Sequence, residues 1–144
     1  MADSLLRALF TNFITSSGAV SAHSYDTMPD NDQTALTANA SADTFGSWAA
    51  IVTTVGSVDV WLCGVLCDDG SADTDAKVDI GTGPIGTATS KAVVPYNGQA
   101  EVNWNFPYPI RVPSGTAVEG RVKTGNTLAS TVDVVVFHAI ALSG

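Results

Sequence analysis

From Phe45 to Leu142 the chain is written as short runs rich in Val, Ile, Thr and Trp, each cut off by Gly, Pro, Asn or Asp. Their β-branched and aromatic side chains suit a pleated, half-buried surface. The pattern predicts strands over 33–38, 45–55, 58–66, 76–81, 90–94, 101–106, 117–123 and 130–142. About eight strands fit two packed antiparallel sheets better than one open sheet, because fewer edges are left unpaired. The expected fold is therefore all-β: an antiparallel β-sandwich, jelly-roll-like, occupying residues 33–144. With 144 residues such a domain can bury roughly 70% of its unfolded surface and needs no disulfide.

Two strands carry more specific expectations. In 117–123, Val118, Gly120 and Val122 alternate with Ala117, Glu119, Arg121 and Lys123, which sets a charged row on one face, toward water or a polar partner. In the last strand Val132, Val134, Val136, His138 and Ile140 alternate with Asp133, Val135, Phe137 and Ala139. Both of its faces are largely apolar, so it belongs in the middle of a sheet, buried on both sides or covered by a neighbouring subunit.

Residues 1–32 lack this alternation and end in the turn-rich, acidic stretch from Tyr25 to Asp32. They read as an N-terminal arm and linker. Within the arm Leu5, Leu6, Leu9, Phe10, Phe13 and Ile14 recur at helical spacing, with Asp3 or Ser4 available as an N-cap. A short amphipathic helix made of these residues is marginal alone and needs a surface to lie on, either its own domain or another subunit. The same stretch is not expected to be a signal peptide: Asp3 precedes Arg7, and Arg7, Thr11 and Asn12 break the apolar run.

Composition narrows the function classes. Six Lys and Arg against fourteen Asp and Glu give a formal net charge of -8, which repels phosphate backbones and anionic lipid heads, so neither nucleic acid nor membrane is an expected partner. No apolar run approaches the ~20 residues of a membrane-spanning helix. Charged residues make up only 14% of the chain, so much of the surface is Ser, Thr, Asn, Gly and Ala, a texture suited to assembly.

The chemistry-bearing residues are few. His23 and His138 are the only histidines, and His138 falls on the inward face of the last strand, where a hydrogen-bonded core residue is expected. Cys63 and Cys67 form half of a zinc site at best and read as reduced, structural thiols. The acidic loop 68–75 gives Asp69, Asp73 and Asp75 as weak calcium candidates, without the ligand order of an EF-hand. The Gly-rich stretch 81–86 has no lysine and no helix pattern after it, and reads as a β turn. Trp48 and Trp61 are expected in the core or an interface, whereas Tyr96, Trp104 and Tyr108, near loops, are the candidates for surface binding. No catalytic spacing is found, and neither an enzyme nor a cofactor is expected.

One pattern goes further: Val78-Asp79-Ile80-Gly81-Thr82-Gly83, then the segment from Phe106 to Thr116 containing Pro109-Ile110-Arg111-Val112-Pro113-Ser114-Gly115-Thr116, then Val118-Glu119-Gly120-Arg121-Val122. It resembles small jelly-roll structural proteins of tailed bacteriophages. Pro109 and Pro113 also have a local meaning, since they keep their segment at a sheet edge or outside regular pairing. The resemblance implies a non-enzymatic virion protein that decorates, or cements, the outer capsid surface and is assembled in the host cytoplasm. Its partners would be the major capsid protein and itself, a homotrimer ahead of a dimer, with Leu5, Leu6, Leu9, Phe10, Phe13 and Ile14 anchoring on the capsid or a sister subunit. The alternative is a carbohydrate- or receptor-binding module of a phage head or tail fibre using Tyr96, Trp104 and Tyr108. Jelly rolls host both roles.

Overall fold

The structure, a computed structural model, describes residues 26–29, 32–68, 75–97 and 101–140. Nine strands account for most of them: β1 (Asp26–Met28), β2 (Thr34–Thr37), β3 (Ala49–Val52), β4 (Val60–Asp68), β5 (Ala76–Gly83), β6 (Thr89–Tyr96), β7 (Val102–Val112), β8 (Ala117–Lys123) and β9 (Thr131–Ile140). Each expected strand is present: the one over 117–123 keeps its bounds, the one over 45–55 shrinks to Ala49–Val52, and the one over 101–106 extends to Val112. β1 lies in the stretch read from sequence as linker, and pairs with β9 at Val136 to His138.

The pairing is nested. β5 pairs with β6, β4 with β7, β3 with β8, and β2 with β9, as if one long hairpin had been folded over. Successive nested pairs fall in alternate sheets, and the additional β4–β9 and β5–β8 ladders join them. Sheet A then runs β1/β2-β9-β4-β7 and sheet B runs β3-β8-β5-β6, all antiparallel. This is the double-sheet jelly roll.

The core lies between the sheets and is made mostly of valine. Leu36, Leu62, Val65, Val132, Val134 and Val136 from sheet A meet Val78, Ile80, Val118 and Val122 from sheet B, all fully buried. Each contributes about 1.5–3 kcal/mol by burial. The two sheets come close at Gly120, where an added Cβ would stand 2.7 Å from a Leu36 methyl. That hollow is what lets Leu36 seat.

β9 is central in sheet A, with β1 and β2 along one edge and β4 along the other. His138 is buried on its inward face, as the alternation requires. The prolines sit where ladders can spare an amide: Pro95 in β6 and Pro107 and Pro109 in β7, the two edge strands at the far side of the sandwich.

Two irregularities reshape sheet A. Going from Leu62 to Gly64, β9 advances by a single residue from His138 to Phe137, so β4 carries a bulge at Cys63. Over the same step β7 moves from Ile110 to Asn105, leaving Phe106-Pro107-Tyr108-Pro109 opposite one residue. Gly64 allows the close approach beside this excursion, since a Cβ there would lie 2.5 Å from the Trp104 carbonyl oxygen.

Candidate functional site

Two of the three segments that carry the resemblance meet on β5 and β8, with Asp79, Gly81, Glu119 and Arg121 on the outer face of sheet B. Asp79 on β5 is opposite Arg121 on β8. Its carboxylate accepts from Arg121 Nε at 2.9 Å, lies 2.8 Å from a second guanidinium nitrogen, and accepts from the Ser90 hydroxyl at 2.6 Å. Asp79 is only 1% exposed. The guanidinium stacks 4.6 Å from the Phe45 ring centroid and 4.2 Å from that of Trp48, a cation–π arrangement with two aromatic faces. Trp48 sits over Gly81, where a Cβ would meet the indole at 2.7 Å. Glu119, equally buried, accepts from the amides of Gly86 at 2.7 Å and Ala88 at 3.2 Å and ties the β5–β6 turn to β8.

The charged row of β8 is thus not turned to water, contrary to the sequence expectation. The segment bearing Phe45 and Trp48 lies over it, held by backbone bonds from Asp43 to Thr124 and from Gly46 to Val122. Asp79 and Glu119 are buried and paired in this cluster, and Arg121, half-buried, is held between Asp79 and the two rings.

The second motif is also structural. Asp59, just before β4, accepts from Arg111 Nε at 2.8 Å and from the Ser114 amide at 2.9 Å. These bonds, that from the Ser114 amide foremost, hold its carboxyl below the usual carboxylate range. Gly115, at a φ of 75°, supplies the left-handed residue of the β7–β8 turn, and the turn is bonded on to Val55.

The expected surface aromatics separate. Tyr96 is 2% exposed and packs inward from the end of β6, which removes it from the surface. The strand expected over 90–94 runs on through Pro95 to Tyr96, because an edge strand accommodates a proline, and the alternation carries Tyr96 into the core. Trp104 is half-exposed at the mouth of a cleft of about 490 Å³ between β6 and β7, with Tyr96, Val102, Asn97, Lys77 and Asp75 around it. Tyr108, 62% exposed, rides on the β7 excursion and does not line that cleft. The anchor residues Leu5, Leu6, Leu9, Phe10, Phe13 and Ile14 lie outside the described residues, as do Asp69 and Asp73. Asp75 is exposed, with a φ of 49°. Among the described residues no three His, Cys, Asp or Glu side chains gather as metal ligands.

Both cysteines are free thiols. An even spacing on a regular strand would set them on one face, but the bulge turns Cys67 into the core and leaves Cys63 half-buried on the outer face of sheet A. Burial pushes Cys63 up to about 11 and Cys67 up to about 12, so both are protonated at neutral pH.

That outer face differs from its counterpart on sheet B. Along β4 and β9 it presents Trp61, Leu66, Val135, Phe137 and Ala139, with Leu66 opposite Val135 and Trp61 opposite Ala139. Val135 is 9% exposed and the others are half-buried. Thr27 of β1, opposite Phe137, and Ala35 of β2, opposite Asp133, border the stripe on one side, Asn103, Asn105 and Arg111 of β7 on the other. Asp68 and Asp133 lie opposite each other at one end. Period-2 reading found the β9 half of this stripe. It could not find the β4 half, because the bulge shifts the phase between Trp61 and Leu66.

No protein-family model matches the sequence, and no curated protein matches it. Among solved structures the chain is similar to chains of infectious bursal disease virus. For the Gx strain the TM-score is 0.35 at 11% identity, over 80% of this chain and 31% of that one. For the Gt strain the TM-score is 0.32 at 14% identity, over 76% and 33%. The chain spans about a third of the length of these neighbours.

Proposed function

We propose that this protein is a non-enzymatic structural component of a virion, a decoration protein that binds the outside of a capsid shell and strengthens it. The observation that carries the reading is the apolar outer stripe of sheet A on a sandwich whose own core is already complete. A closed jelly roll gains nothing by itself from Trp61, Leu66, Val135 and Phe137 on an outer face, and such a patch is the mark of a contact surface. The motif residues that a catalytic reading would have needed are consumed in holding sheet B together. The resemblance to tailed-phage jelly-roll proteins supports the same reading, as does the weakly charged, acidic composition.

On this reading Leu5, Leu6, Leu9, Phe10, Phe13 and Ile14 make the anchoring contacts and the β body forms the oligomer, a trimer about a local symmetry axis. Binding across subunit joints stabilises the shell by mass action, through preferential affinity for the assembled state. The test is sedimentation with expanded shells of the parent virion that lack the protein. Full-length protein is expected to co-sediment and raise the temperature of shell disruption, and a chain without residues 1–24 to stay folded in the supernatant. Absence of co-sedimentation by the full chain would overturn the reading.

A second reading is favoured by one observation, the half-exposed Trp104 indole at the mouth of a cleft carrying Asn97, Asp75 and Lys77. That combination of an aromatic face and polar neighbours suits a sugar ring. Reproducible hits on a glycan array, lost in Trp104→Ala, would select it.

A further inference from the structure

The free edges of the sandwich are not equally guarded. β1, β2 and β3 are edge strands of only three or four residues. β6, outermost in sheet B, carries Lys91 at a bulge between Ser90 and Ala92 and ends in Pro95-Tyr96. Short length, lysine, proline and bulges are the ordinary means of keeping an edge from pairing with another chain. β7, outermost in sheet A, has its prolines, Pro107 and Pro109, in the second half. Its first half, Val102-Asn103-Trp104-Asn105-Phe106, has neither proline nor charge, and among the described residues its outer side pairs with no strand. We infer that this segment pairs antiparallel with the same segment of a second copy, joining two A sheets edge to edge about a two-fold axis at Trp104. The inference goes beyond the readings above and rests on neither. A two-fold contact is separate from the trimer axis proposed there and links one oligomer to the next.

Three observations select a second copy as the partner. The first is the order of residues. With Trp104 opposite its own equivalent, Asn103 falls opposite Asn105 and Val102 opposite Phe106, so ring meets ring, amide meets amide and apolar meets apolar. A side-chain amide offers both a donor and an acceptor to its like, and aromatic and apolar cross-strand pairs stabilise an antiparallel ladder. The second is the side on which the indole lies. Trp104 is opposite Val65 and Val102 opposite Cys67, both fully buried, so the two belong to the row directed between the sheets. Trp104 is nonetheless 37% exposed, at the mouth of the cleft it shares with Tyr96 and Val102. A two-fold axis perpendicular to the sheet keeps the inward rows of both copies on one side, so each indole closes the mouth of the other copy's cleft.

The third is charge. The chain has a formal net charge of -8, so surfaces that carry this excess repel a copy of themselves. The segment 102–106 is neutral, and pairing it with itself sets no like charges opposite each other.

The test uses the full chain in a Cys63→Ala background, which removes the half-buried thiol at the bulge beside β7. An affinity-tagged chain with Asn103→Cys is co-produced with an untagged chain with Asn105→Cys, oxidised mildly, and the disulfide-linked peptides are mapped. The expected product joins position 103 of one chain to position 105 of the other, in several-fold excess over 103–103 and 105–105 products. The reason is distance: directly opposite residues stand about 4.5–5.5 Å apart and diagonal ones about 7–8 Å. Equal yields of the three products, or no product, would overturn the pairing. Mass is the second measurement. Asn103→Lys together with Asn105→Lys sets lysine against lysine at two places, and is expected to halve the mass of the wild-type assembly in sedimentation while the melt followed by circular dichroism stays in place. An unchanged mass in the folded variant would overturn the inference, and the disulfide result decides alone if the variant does not fold.

Discussion

The two outer faces of this sandwich are built on opposite terms. On sheet B the charged side chains Asp79, Arg121 and Glu119 are drawn under a flap of the chain's own residues, Phe45 and Trp48, and every one of them finds a partner there. On sheet A the side chains are apolar and the described residues place no such flap over them. Among the described residues one face is completed and the other is left open. A face loaded with charge must be completed internally, because an unpaired buried ion costs several kcal/mol, whereas an apolar face half in water costs little until something covers it.

The largest expected effect strikes the finished face. Arg121→Leu leaves Asp79 buried without its cation and should cost about 3–5 kcal/mol in urea denaturation. The double variant Asp79→Leu, Arg121→Leu should recover most of that loss. If it does not, the stacking of Arg121 on Phe45 and Trp48, and not the ion pair, holds the flap. Next comes Glu119→Ala, which leaves the Gly86 and Ala88 amides unbonded and should cost about 1–3 kcal/mol, seen as faster amide exchange in the β5–β6 turn.

On the unfinished face the same measurement should respond weakly. Leu66→Ser removes a half-buried side chain and should cost on the order of 1 kcal/mol, while its effect on the mass of the assembled oligomer is large. A loss of stability as great as that of Arg121→Leu would mean the face is core after all.

The smallest expected effect is in acid. Asp59 has its carboxyl held below the ordinary value, so its contribution is fully present above about pH 4 and is lost as pH falls through the lower folded value. Asp59→Asn should therefore flatten the fall of stability below about pH 4, in melts followed by circular dichroism, while leaving both faces unchanged.

The faces were not equally legible. The alternation of β9 keeps one phase through all ten residues, and at period 2 it places His138 inward and β9 in the centre of a sheet. The same period fails on β4 at Cys63, where one extra residue reverses the face, and on β7, where Phe106 to Pro109 leave the ladder. Bulges are set by two partner strands that are distant in sequence, so no local window records them. The alternation of β8 shows the charged row, which can face water or a polar partner, but not what lies over it, because the cover comes from Phe45 and Trp48, over seventy residues earlier. The motifs behind the resemblance turned out to be the parts that hold the fold, which is why they indicate the kind of domain more sharply than any binding site. The anchoring segment lies outside the described residues, so its role rests on proposal.

The nested pairing has a consequence for how the chain comes together in time. The β5–β6 hairpin closes across a loop of a few residues, whereas β9 must find β2 and β4 across most of the domain. Closure entropy grows by only about 0.6 kcal/mol per doubling of the loop, so the four or so doublings involved cost about 2.5 kcal/mol, a modest thermodynamic sum but a long wait. During synthesis sheet B can add β8 and β3 to the hairpin and complete its four strands while β4 has only β7 beside it. Until β9 arrives, Trp61, Leu62, Val65 and Leu66 sit on a strand with an open edge, the condition under which nascent β chains aggregate.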